Sequence, residues 1–163
     1  MKNIFFATVL LLASTSNVFA QETDLKIGIN QTISSYYNVK DALAKGDAKK
    51  ANQLAKVLNV KVHALDEAKL TKADLVFKNK MDYDSKHISE VVDIAHQREH
   101  FNSLSTNLYY LIKDLHLNDR TVFRMICSIN KQYFLSDKPV GADPYFAATH
   151  FTTVSEKIQP ANK

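Results

Sequence analysis

Cysteine occurs once in these 163 residues, tryptophan not at all, and glycine and proline three times each. A single thiol, Cys127, excludes an internal disulfide framework, a four-cysteine zinc site and a CxxCH haem attachment. So few glycines and prolines argue against the many turns of an all-β sandwich or barrel. There is no Gly-rich phosphate loop, GxSxG elbow, SxxK motif or cluster of paired carboxylates, so hydrolytic and nucleotide chemistry find no support. The chain is expected not to be an enzyme. Charge of one sign is also scarce: 21 Lys and Arg face 17 Asp and Glu, a net +4. The basic residues are scattered among carboxylates rather than gathered into a stripe interleaved with aromatics, so no nucleic-acid partner is expected.

Long apolar runs are missing except near the N-terminus, where residues 1–20 read MKNIFFATVLLLASTSNVFA. Lys2 supplies a positive start, Ile4–Ala13 an apolar stretch, and Val18-Phe19-Ala20 a small-residue processing site. Ten residues of helix span about 15 Å against roughly 30 Å of bilayer hydrocarbon, too short to cross. Gln21, not cysteine, follows the processing site, which argues against a lipid anchor. The expectation is a signal peptide over 1–20 and a single domain over 21–163. The product is then exported, periplasmic, soluble and not membrane-spanning after cleavage.

The remainder is predicted to be mainly α, an up-and-down helical bundle with a small β-hairpin or irregular cap near the C-terminus. Between Asp24 and Ala44, Ile29, Ile33, Tyr36 or Tyr37, Val39 and Leu43 recur at helical spacing. Gly46 supplies the stop and Asp47 the next N-cap. Ala51, Ala55, Leu58, Val62 and Leu65 mark the second helix. A weaker third segment begins at Thr71, which can cap it, runs through Leu75 and Val76 to Phe77, and is expected to break at Asn79–Asp84. From Ser85 to His116 there is no Gly or Pro, and Ile94, Phe101, Leu108 and Leu115 repeat every seven residues. That pattern predicts one unbroken helix of about 48 Å. Val122–Ile129 and Gln132–Leu135, separated by Asn130-Lys131, read as a hairpin. Asp143-Pro144 reads as the start of a last helix ending near Ile158.

Two residue groups are candidates for chemistry. His96 and His100, four apart on one helix face, can grip a metal if a third ligand comes from elsewhere. Glu99 is assigned to another face, so this is not the HExxH arrangement. Cys127 shares an alternating strand face with Phe123, Met125 and Ile129 and reads as a buried small hydrophobe, a soft-metal ligand or an intermolecular disulfide. Arg98 is a candidate clamp on a buried carboxylate. Tyr36-Tyr37 and Tyr109-Tyr110 each place one ring inward and one at the boundary.

Gln97-Arg98-x-x-Phe101, Ser105 and Leu111-Ile112-Lys113 in the long helix resemble the bacterial family known as domain of unknown function 3347. Tyr36 or Tyr37, the Asp41-Ala42-Leu43 triplet, Phe123, Cys127-Ser128-Ile129, Phe134-Leu135-Ser136 and Asp143-Pro144-Tyr145-Phe146-Ala147 extend the resemblance. It implies an exported domain, found alone or joined to heavy-metal efflux adaptors, and so copper or related soft-metal handling. The family pattern of Cys, Met, Met and Cys suits Cu(I). Here it keeps Cys127, replaces the first methionine by Ile129, and puts His150 at the second methionine position and Thr153-Val154 at the Cys-Gly pair. Cys127 and His150, with Met125 nearby, are therefore the expected metal ligands, and copper the expected ion. The competing expectation is a metal-free interaction module that docks on an envelope efflux component through an exposed apolar patch.

Overall fold

The computed structural model describes residues 4–146 and 152–161, with side chains described from Asp24 onward. Helix α1 covers Ile4–Ala44. Its inward positions are Ile29, Ile33, Tyr36, Val39 and Leu43, all buried, as their spacing predicts. Gly46, at φ 71°, reverses the chain, and the Gly46 and Asp47 amides donate to the carbonyls of Leu43 and Ala42. Asp47 then caps helix α2 (Ala48–His63) by accepting from the Lys50 amide. Ala51, Ala55, Leu58 and Val62 bury the face of α2 that packs on α1 and on helix α3.

Helix α3, Lys72–Glu90, starts at a capping box in which Thr71 and Asp74 satisfy each other's backbone amides. It runs straight through Asn79–Asp84, where a break was expected. The reason is a polar inner face: Asp74, Lys78, Asp84 and Ser85 are buried beside Met81 and Ile88. Most of their polar groups find partners, Oδ1 of Asp74 being an exception. The Lys78 ammonium meets Glu67 at 2.6 Å, Asn59 donates to Ser85 Oγ, and Asp84 holds His100. Hydrophobic periodicity does not register a helix whose buried stripe is hydrogen-bonded.

The predicted helix over Ser85–His116 is instead two. After Glu90 the chain is extended at Val91, and helix α4 begins at Ile94 and ends at Leu115, 22 residues or about 33 Å. Side chains make the break without Gly or Pro. Asp93 caps α4 by accepting from the His96 amide. The buried Gln97 amide donates to the carbonyls of Ala48, Ile88 and Val91, satisfying the end of α3 and tying it to the start of α2. The seam from Phe101 through Leu104, Leu108 and Leu111 is buried as expected. His116, in the left-handed region, closes α4. Successive helices are neighbours, and α1 also meets α4, giving the up-and-down arrangement.

The C-terminal hairpin is present as β1 (Val122–Cys127) and β2 (Tyr133–Ser136), with Met125 opposite Phe134. Among the described residues of 144–158 the expected last helix is absent. Thr152–Ile158 forms β3, antiparallel to β1, in a sheet of order β2-β1-β3. The run Thr152-Thr153-Val154 is β-branched, which suits a strand. Asp143 caps an Asx turn instead, its Oδ1 accepting from the Tyr145 amide at 2.8 Å. A bulge between Arg124 and Met125, against β3, resets the pleat, so Val122, Met125 and Cys127 are buried while Phe123 is only half-buried.

Three side chains fasten sheet to helices. Tyr36 donates its hydroxyl hydrogen to Ser105 Oγ at 2.7 Å, Ser105 donates to the Phe101 carbonyl, and the Tyr36 oxygen accepts the Leu135 amide at 2.9 Å. Arg124 lies between the rings of Tyr109 and Tyr133. Arg98 donates to the carbonyls of Leu43 and Pro144, joining the end of α1 to the tail, so it is a backbone tie rather than a carboxylate clamp. Tyr36 and Tyr109 are buried and Tyr37 lies at the boundary, as expected, whereas Tyr110 is exposed.

Replacing Tyr36 with Phe removes the hydroxyl that accepts from the buried Leu135 amide while keeping the ring. We expect a loss of about 1–3 kcal/mol, the cost of an orphaned buried donor, in urea denaturation. An unchanged midpoint would mean that the hydroxyl does not couple sheet to bundle.

A candidate metal centre

The turn between α3 and α4 decides what faces what. His87 stands in the last turn of α3, His96 in the first turn of α4, and His100 one turn further on. Folding α4 back along α3 brings the three together: one ring nitrogen from each lies within 4.8 Å of the others. The rings of His87 and His100 stack at 4.7 Å with 11° between planes, and His96 meets His100 edge-on at 4.8 Å. Tyr83 packs against His87 at 4.2 Å.

The three imidazoles are held unequally. His100 is 16% exposed, and its Nδ1 lies 2.9 Å from Oδ1 of Asp84, a carboxylate only 6% exposed. With Nδ1–H donated to Asp84, Nε2 is the nitrogen left for an ion. A carboxylate on the far nitrogen of a ligating histidine fixes its tautomer and strengthens it as a donor. His87 is half-buried. His96 is 45% exposed, its Nδ1 3.7 Å from Glu99. Glu99 therefore touches His96 rather than pointing away from it.

Chemically, three neutral imidazoles suit zinc, copper or nickel. Bonds of about 2.0–2.1 Å to a tetrahedral ion put ligand nitrogens roughly 3.4 Å apart. The observed separations come within an ångström or two of that, a distance that side-chain rotation covers. Three protein donors leave one tetrahedral position for a further ligand.

His96 and His100 were legible as a pair short of a third donor, and the imidazole that joins them is His87. Its distance along the chain hid it, because a continuous helix over Ser85–His116 would carry His87 away from His100. The available signal was Asp93, a capping residue three before His96.

Of the tail pair, Cys127 is buried on β1, on the same face as Met125. Burial pushes its thiol up from the ordinary range, and the neighbouring Asp143 carboxylate pushes it further. His150 lies outside the described residues. A cleft of about 460 Å³ lies between α1 and the α4–β1 connection, walled by Asn30, Tyr37, Asp41, Asp119 and Asp137 among others. Several of its polar groups already have partners: Asn30 bonds the Leu117 carbonyl and the Asp119 amide, and Asp119 meets Lys26. Among the described residues no helix is long and apolar enough to cross a membrane.

The state of Cys127 is directly checkable. A raised thiol pKa leaves less thiolate at any given pH, and burial blocks access. We expect maleimide to label native protein at pH 7–8 far more slowly than protein in urea. Equal rates in the two would contradict a buried, protonated thiol.

No curated protein and no solved structure matches this chain. A family model does match, over residues 32–120, a span that contains Asp84, His87, His96 and His100 and stops before Cys127. The family has no known function, and no enzymatic family is indicated. The chain belongs to the family described as Protein of unknown function (DUF3347).

Proposed function

We propose that this domain binds one transition-metal ion in the cell envelope through His87, His96 and His100, with copper(II) as its cargo. The observation that carries the reading is the convergence of three imidazole nitrogens, one braced by a buried carboxylate. A site built from nitrogen donors without a rigid cage follows the general affinity order, in which copper(II) exceeds zinc and nickel. The leader-like residues 1–20 support export, and the efflux association implied by the resemblance supports metal handling beside an envelope efflux component. The role is one of binding rather than catalysis. The large exposed apolar residues are spread over separate elements, among them Ile27 on α1, Val60 on α2, Val76 on α3 and Val154 on β3.

Titrating residues 21–163 with copper(II) against a competing chelator tests this. One equivalent should bind. His100→Ala should abolish tight binding, Asp84→Asn should weaken it by roughly 10–100-fold, and Cys127→Ala should leave it unchanged. Binding that survives His100→Ala but falls with Cys127→Ala or His150→Ala would move the ligands to the tail. Absence of binding in the parent chain would leave the docking module as the reading.

A further inference from the structure

We infer that the trihistidine cluster is a transfer site, which passes its ion to an acceptor by stepwise ligand exchange with His96 leaving first and His100 last. This rests on the metal reading above. The argument comes from the graded way the three rings are held. His100 is the anchor, with its imidazole hydrogen-bonded to a carboxylate that is itself 6% exposed. His87 is half-buried and in ring contact on two sides, with Tyr83 and His100. His96 is 45% exposed, and it sits in the first turn of α4 on a backbone whose amide is held by an exposed cap. Structural zinc sites are normally closed off by four protein ligands, whereas this cluster offers three histidines.

An acceptor bearing nitrogen or carboxylate donors can therefore bond to the ion from the His96 side before any protein ligand has left. The bond to His96 breaks next, then those to His87 and His100, with the ion remaining copper(II) and no electron transferred. The acceptor is a partner of that donor chemistry, not a small substrate to be transformed.

Stopped-flow transfer from the copper(II)-loaded chain to excess EDTA tests the order of events. The observed rate should rise with EDTA concentration. His96→Ala should still bind copper(II), more weakly, and transfer it faster than the parent, whereas Asp84→Asn should weaken binding through the anchor. A transfer rate independent of EDTA concentration would overturn the inference while leaving the metal reading intact. So would a His96→Ala variant that loses binding as completely as His100→Ala. Failure of the parent chain to take up copper(II) would instead remove the reading on which the inference rests.

Discussion

The amide of Gln97 is the interaction on which the rest of the molecule depends. Its nitrogen donates to carbonyls at the start of α2, in the last turn of α3 and just beyond it, so with Asn52, which donates to the Ser89 and Val91 carbonyls, it ends one helix and docks the next. A helix end leaves carbonyls without partners, and burying them unpaired is costly. Once Gln97 supplies those partners and Asp93 caps α4, the chain reverses within the three residues Val91, Val92 and Asp93. Every later consequence follows from that reversal. α4 lies along α3, its inner face joins the core, and His96 and His100 arrive beside His87.

The same reversal explains why polar residues line the α3–α4 contact. Asp84 and His100 are acceptable there because each satisfies the other. On its other side α3 is held by Asn59 of α2, which donates to Ser85, and by Glu67 of the α2–α3 connection, which pairs with Lys78. The α3–α4 pair has a defined register, since sliding by one turn would part Asp84 from His100 and Gln97 from the Ile88 and Val91 carbonyls. The clustering of the three imidazoles is then a by-product of register: the rings meet because the hydrogen bonds fix where α4 sits.

Much of the fold was legible where apolar spacing and turn chemistry agree. The Ile29–Leu43 stripe, the Gly46-Asp47 junction, the Ala51–Val62 stripe and the Asn130-Lys131 hairpin all read correctly because burial, propensity and turn residues point one way. Legibility failed where hydrogen bonds replace hydrophobicity. The second half of α3 has a polar inner face, the break at Val91–Asp93 has no Gly or Pro, and β3 follows an Asp-Pro pair that resembles a helix start. The candidate centre was half visible for the same reason. His96 and His100 are neighbours in sequence, but His87 becomes their neighbour only through a turn made by side chains.

The account's central claim is that one ion is held by imidazoles of the α3–α4 turn rather than by the sulfur of the tail. X-ray absorption at the copper edge of the loaded chain tests this most directly, because nitrogen and sulfur scatterers lie at different distances. The account predicts three imidazole nitrogens near 2.0 Å and no sulfur shell. A sulfur scatterer at about 2.3 Å, or fewer than two imidazoles, would contradict it.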